Sequence, residues 1–174
     1  EARLMVRLHR IGLNVPILYD CDIEQQQLIM SNIPGQPLIE LLNDRNIADD
    51  AVQNHLRSAG RSIRMLHRQA IVHGDLSTNN IIIQPSGEAV LIDFGLAKIE
   101  FETELYGIDL HVLFEILGAS HPHRNHAMDA VLEGYRQCEK ELGPPASTPG
   151  GEPVSMDDVI ERFDLIRTRV RYHG

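Results

Sequence analysis

Ile71-Val72-His73-Gly74-Asp75-Leu76-Ser77-Thr78-Asn79-Asn80, followed after a short apolar interval by Leu91-Ile92-Asp93-Phe94-Gly95, is the stretch whose reading decides the fold. An aspartate two residues after a histidine, an asparagine five residues further on, and a later aspartate-phenylalanine-glycine form the signature order of a phosphoryl-transfer site. Asp75 stands where a carboxylate accepts the proton of an attacking hydroxyl. Asn80 and Asp93 stand where oxygen ligands hold divalent cations against the phosphates. Catalysis of this kind is mostly positioning and electrostatic stabilisation, so a few oxygen-bearing side chains on neighbouring loops suffice. Gly95 is expected to supply the backbone freedom that turns the chain away after Asp93. Either motif alone is weak. Both in order, each beside an apolar strand candidate, carry the reading.

The rest of the chain permits it. The 174 residues suit one domain, or one large lobe of a bilobal enzyme. The formal net charge of −9 argues against a surface given over entirely to nucleic acid, while leaving room for local basic patches. No apolar run reaches the roughly 18–20 residues of a membrane span. Glu1-Ala2-Arg3 has no signal-peptide pattern and reads as a chain entered in mid-domain. Two cysteines, Cys21 and Cys138, make no disulfide framework; free thiols are expected, in a protein of the cytoplasm and nucleus.

In order, the pattern predicts a helix over residues 1–11 stopped by Gly12, strands over Val15–Tyr19 and Gln27–Met30 with a polar turn between, and a short helix through Pro37–Asn43. Val52, Leu56, Ala59, Ile63 and Leu66 line one face of a long helix predicted over residues 49–69, with Asp49 or Asp50 as its cap. Strands are predicted at Asn80–Ile83 and Ala89–Ile92 around a Pro85-Ser86-Gly87 turn. Further helices are expected to begin at Asp109, to run from His126 to Leu142, and to follow a Ser155/Asp158 capping box with Val159, Phe163, Ile166 and Val170 buried. Residues 143–153 read as a loop, not a linker.

Three polar clusters invite a function. The stripe Arg57, Arg61, Arg64, Arg68 reads as a solvated helix flank, with phosphate or RNA contact as the alternative. The tail arginines Arg167, Arg169 and Arg171 are either a frayed terminus or a contact for tRNA or a protein partner. His121, His123 and His126 suggest metal, yet no cysteine or carboxylate lies close by in sequence, and a polar helix entry is the better reading.

The order of predicted elements resembles a protein kinase from its third helix onward: an α+β fold, chiefly the helical C-lobe with the last helix and two strands of the N-lobe. The details resemble the PRPK-type atypical serine/threonine kinases, the small kinase-like subunit of the KEOPS (EKC) complex. The likeness rests on Glu1-Ala2-Arg3 with Gly12 to Pro16, on Val72 to Asn80 with its Ser77-Thr78 hydroxyl pair, on Leu91 to Leu96, on Gly107 to Leu113, and on the basic tail. Gly74 replaces the arginine of H-R-D, and the segment between Gly95 and Asp109 holds no A-P-E and is short for a peptide-docking platform.

The resemblance implies ATP and Mg2+ as cofactors, with Asp75 as base and Asn80 and Asp93 as metal ligands. It implies Met30, Ser31 and Ile33 at an adenine-side hinge, and Glu1 as the helix glutamate that pairs with a strand lysine. That lysine and a glycine-rich phosphate loop would precede residue 1, so residues 1–33 read as an N-lobe remnant and 34–174 as the C-lobe, and these 174 residues alone are expected to bind and hydrolyse ATP poorly. The implied role is an ATPase and weak serine kinase, partnered by the threonylcarbamoyl transferase and other KEOPS subunits, that supports N6-threonylcarbamoyladenosine formation in tRNAs reading codons that start with adenosine. A non-catalytic scaffold and a small-molecule phosphotransferase stand as alternatives.

Overall fold

Residues 49–67 form the axis on which the other elements are laid. In the computed structural model, which describes residues 1–148 and 150–171 (side chains at 170 and 171 excepted), the order is α1 (Ala2–Arg10), β1 (Leu18–Asp22), β2 (Gln27–Met30), β3 (Gln36–Pro37), α2 (Leu38–Asn43), α3 (Asp49–His67), β4 (Ile71–Val72), β5 (Ile81–Ile83), β6 (Ala89–Leu91), β7 (Lys98–Ile99), α4 (Thr103–Ser120), α5 (Ala127–Leu142) and α6 (Met156–Arg171). The predicted apolar face of α3 is buried throughout: Val52, Leu56, Ala59, Ile63 and Leu66 all lie in the core. Asp49 and Asp50 do not cap α3. Ala48, whose methyl group cannot accept a bond, occupies the cap position, and Asp49 pairs instead with Arg124 at 2.6 Å.

α3 meets α5 at unusually close range. A Cβ added to Gly60 would lie 1.9 Å from the Val131 carbonyl oxygen, and one added to Gly134 would lie 1.9 Å from that of Arg57. The two glycines thus let each helix seat on the other's backbone. Neither backbone can move aside as a flexible side chain would, so Gly134→Ala is expected to cost about 3 kcal/mol by overpacking, read as a lowered thermal midpoint. A variant as stable as the parent would show that the helices are not in such contact.

On either side of that crossing the arginine stripe finds its partners. Arg57 pairs with Glu133 at 2.7 Å, Arg61 with Glu141, and Arg64 and Arg68 both with Glu139 at 2.9 and 2.5 Å. Neither a solvated flank nor a phosphate platform describes this row. It is an ion-pair ladder between two helices, half exposed at Arg57 and Arg61 and fully buried at Arg64.

Three small antiparallel sheets hang on this frame. In the sheet ordered β3-β5-β6, β6 is an edge strand, and its outward backbone groups need partners. Two serines one helical turn apart on α3 supply them: Ser58 Oγ accepts from Ala89 N at 2.8 Å, and Ser62 Oγ donates to Ala89 O at 2.6 Å. Pro37, which cannot donate, sits in the opposite edge strand.

The β1–β2 hairpin departs from expectation. β2 is Gln27–Met30 as predicted, but β1 lies three residues later than Val15–Tyr19 and carries a register shift between Leu18 and Asp20. Val15 is instead buried with Leu13 in the core, and Asp22 fixes the turn by accepting from Gln25 N at 2.9 Å. α4 also begins at Thr103, not Asp109, because Gly107 is helical there and lets α4 approach the α6 backbone at Phe163. Ser155 Oγ accepts from Asp158 N at 3.2 Å, and Val159 and Phe163 are buried as expected. Ile166 is only part-buried, and the side chains of Val170 and Arg171 and the whole of 172–174 lie outside the described residues. No helix among the described residues is long and apolar enough to cross a membrane.

Candidate active site

The loop between β4 and β5 and the loop after β6 come together because their flanking strands are pinned. Ile92 N donates to Asn80 O at 3.0 Å, which joins the segment after β6 to the segment before β5. His73 Nε2 meets Ile92 O at 3.1 Å, and the His73 ring lies 5.3 Å from that of Phe94. His73 is therefore the post between the two loops. Burial holds its imidazole below the ordinary range against the opposing pull of Asp109, Asp75 and Asp93, so it stays neutral and can donate to the Ile92 carbonyl. The Ile92 bonds to Asn80 and His73 bring the segment that carries Asp93 against the loop that carries Asp75.

Asn80 orders the site. Its amide nitrogen donates to the Asp75 carbonyl at 2.9 Å and to Asp75 Oδ2 at 3.1 Å. That orientation fixes the Asp75 carboxylate and turns Asn80 Oδ1 away from it. Asp93 is exposed, and among the described residues its Oδ1 accepts only from Gly95 N at 3.3 Å. Asn80 Oδ1 and the Asp93 carboxylate are hard oxygen donors on two adjoining loops. This donor set fits magnesium, which takes one or two protein oxygens and otherwise keeps water or phosphate. The chain supplies no ready cage of three or more histidine, cysteine or acidic groups among the described residues, and magnesium needs none.

The unusual backbone belongs to Asp93 itself. Its φ is +61, a left-handed conformation costing a non-glycine residue about 1–3 kcal/mol. Gly95, expected to supply that freedom, has no positive φ and open space around it apart from Asp93 Oδ1. Gly74 does need to be glycine: its φ is +81, and a Cβ there would stand 2.7 Å from the Leu96 carbonyl oxygen. The departure from H-R-D thus follows from the approach of the Asp93-to-Leu96 loop over the catalytic loop.

Asp109, two per cent exposed on α4, anchors the whole loop. Its carboxylate accepts from His73 N at 2.6 Å and Gly74 N at 2.9 Å. The motifs alone leave this role of Asp109 unassigned. The signal was present: an aspartate between Tyr106, Leu110 and Leu113 sits inside an apolar helix and must find donors there.

The other residues singled out are placed as follows. Met30 ends β2 and is partly exposed, Ser31 bridges to Ile17 through N→O at 2.8 Å and an Oγ that accepts from Ile17 N at 2.9 Å, and Ile33 is part-buried in the following segment. Glu1 is exposed at the α1 N-cap, where its carbonyl accepts from Leu4 and Met5. Of the three clustered histidines only His123 serves α2, its Nε2 meeting Leu42 O at 3.0 Å beside Arg124, which donates to Leu42 O and Asp44 O. His126 faces a nearby carboxylate after all, Asp129 at 3.1 Å, and among the described residues the ring nitrogens of His121 have no partner.

With this geometry in hand, comparison with known proteins is informative. The model of the RIO domain matches residues 1–102, more than half of the chain. The chain belongs to the RIO-domain family. Its α+β architecture is accordingly kinase-like, within a family of atypical kinases and ATPases. This RIO-domain chain is 35% identical over 142 residues to the KEOPS complex subunit Bud32 of Pyrococcus abyssi, an alignment covering 81% of the chain and 63% of the relative. It is 32% identical over 158 residues to the EKC/KEOPS complex subunit BUD32 of Gibberella zeae, covering 81% and 60%. It is 34% identical over 173 residues to a probable bifunctional tRNA threonylcarbamoyladenosine biosynthesis protein of Methanosarcina barkeri, covering 99% of the chain and 27% of the relative. The RIO-domain chain thus spans less than two thirds of each of these relatives. The resemblance to PRPK-type kinase-like subunits drawn from the motifs agrees with these relatives.

Proposed function

We propose that this chain is the nucleotide-handling subunit of a KEOPS-type assembly that supports N6-threonylcarbamoyladenosine formation in tRNAs reading codons that start with adenosine. The observation that carries the reading is the Asp75–Asn80–Asp93 constellation in a chain similar both to free-standing KEOPS subunits and, along 99% of its length, to a bifunctional threonylcarbamoyladenosine protein. ATP and Mg2+ are its cofactors in this reading, and the threonylcarbamoyl transferase is its partner.

Asp75, held by Asn80, takes the proton of the attacking water or hydroxyl. His73 and Asp109 keep the loop in place while this happens. Asn80 Oδ1 and the Asp93 carboxylate hold magnesium, which when bound neutralises charge on the phosphates. Met30, Ser31 and Ile33 would flank the adenine, and Glu1 would pair with a strand lysine of the full-length protein. Of the tail arginines, Arg167 is engaged with Asp164 at 2.9 Å and lies over Phe163, whereas Arg169 is exposed, so Arg169 is the better phosphate contact; the side chain of Arg171 lies outside the described residues.

Reconstitution tests the proposal. An assembly lacking this subunit is expected to lose sustained threonylcarbamoylation of tRNA and to regain it on addition of the full-length protein with ATP. Arg169→Ala is expected to weaken tRNA binding and flatten its salt dependence. Modification that proceeds equally well without the subunit would refute the role.

A further inference from the structure

Behind the catalytic loop lies a chain of buried polar groups that the phosphoryl-transfer chemistry does not itself use. Asp109 accepts three bonds: from His73 N, from Gly74 N, and from His67 Nε2 at 3.2 Å. His67 is fully buried at the end of α3, and its Nδ1 lies 2.9 Å from Tyr135 Oη on α5. Tyr135 Oη in turn accepts from Arg64 at 3.4 Å, and Arg64 also grips Glu139 and the Val154 carbonyl. The side chains of Arg64 and His67 are wholly buried, that of Asp109 is 3% exposed, and Tyr135 is also buried, so water does not complete these bonds.

The chemistry of these groups fixes the direction of every proton. An ionised carboxylate only accepts, so His67 Nε2 must carry the hydrogen that faces Asp109. Burial lowers the His67 pKa, outweighing the attraction of Asp109, and the ring is neutral with a bare Nδ1. The bare Nδ1 requires a donor, and Tyr135 Oη–H provides it. Burial raises the Tyr135 pKa, which keeps that hydrogen in place. Its oxygen then faces Arg64 as an acceptor. The donors run one way, from Arg64 through Tyr135 and His67 into Asp109, which the two amides before Asp75 meet as donors from the other side.

We infer that Tyr135 and His67 are positioning residues for Asp75, acting through Asp109, so that α5 and the segment around Val154 set the catalytic loop from the far side of the core. As a statement about catalysis this rests on the phosphoryl-transfer reading above; as a statement about the loop it does not. A bond to a charged buried acceptor is strong, and a linked series of such bonds transmits the loss of one member to the next.

The test uses the full-length protein and three variants. In the wild type, 15N spectra of the imidazoles are expected to show His67 with a protonated Nε2 and a bare Nδ1. Tyr135→Phe keeps the packing and removes the donor, and is expected to shift the Nδ1 signal. His67→Leu is expected to speed hydrogen exchange at the His73 and Gly74 amides about tenfold or more, selectively over amides in α3 and α5. The same variant is expected to lower kcat for ATP about tenfold with KM within about twofold, and His67→Gln, which keeps a donor at the Nε2 position, is expected to restore most of both. A His67 protonated on Nδ1, or loop amides and kcat unchanged in both His67→Leu and Tyr135→Phe, would overturn the inference. So would a uniform rise in exchange with no rescue by glutamine, which describes lost stability alone. Should His67→Leu fail to fold, the Tyr135→Phe exchange and kinetics decide. A wild type that turns over no ATP would sink the phosphoryl-transfer reading, while the spectra and exchange would still judge the relay.

Discussion

Asp75→Ala in the full-length protein is expected to lower ATP turnover about 10²–10⁴-fold, the range a positioned general base contributes. The fold should survive the change. Asp75 is exposed, its carboxylate bonds only to Asn80 among the described residues, and the loop is held by backbone bonds to Asp109 that alanine leaves in place. The loss is therefore expected in kcat, with the thermal midpoint within a degree or two of the parent. Turnover retained at wild-type level would remove Asp75 from the chemistry and favour a scaffold, which has no use for that carboxylate.

The second large effect is structural. Glu139→Ala leaves Arg64, wholly buried, without the carboxylate that takes two of its nitrogens, and it deprives Arg68 of the same partner. Breaking a buried pair from one side costs about 3–5 kcal/mol because a charge is stranded out of water. For a chain of this size that is a fall on the order of 10 °C in thermal midpoint. Burial resists ionisation of Glu139, but the bonds and charges of Arg64 and Arg68 together outweigh it, and its pKa lies below the ordinary carboxylate value. The sign follows: the Glu139 contribution is complete above the unfolded glutamate pKa of about 4.3, and is lost as pH falls through the lower folded value. Stability that declines on acidification in the parent should decline less steeply in Glu139→Ala. A variant that melts with the parent at neutral pH would contradict the buried ladder.

What could be read in the sequence was what periodicity and motif chemistry carry. The face of α3, the β5–β6 turn and the capping serine before α6 are legible because each is a local pattern with one physical meaning, and the three candidate site residues are marked by their motif spacing. Contacts between distant elements are not legible in this way. The arginine stripe had no visible partners, since Glu133, Glu139 and Glu141 lie on another helix and only the Gly60–Gly134 crossing brings them opposite. The start of the hairpin is not legible because β1 is largely exposed and polar, leaving no alternation to count. The start of α4 at Thr103 is hidden in the sequence because its first turns carry acidic residues and a glycine, and the close approach of α6 that Gly107 permits lies far off in the chain. Backbone freedom in the D-F-G turn is expected of the glycine on general grounds, whereas the positive φ falls on Asp93, whose Oδ1 turns forward to accept from Gly95 N.

Paramagnetic broading by Mn2+·ATP reads the centre of the account most directly. With the full-length protein, substoichiometric Mn2+·ATP is expected to broaden the Asn80 side-chain amide and the backbone amides of Asp75 and of Asp93 to Gly95 before any others, and Asp93→Ala is expected to abolish this. Signals from those positions that stay sharp while Mn2+·ATP broadens a different surface, or none, would contradict a nucleotide–metal site built from Asp75, Asn80 and Asp93.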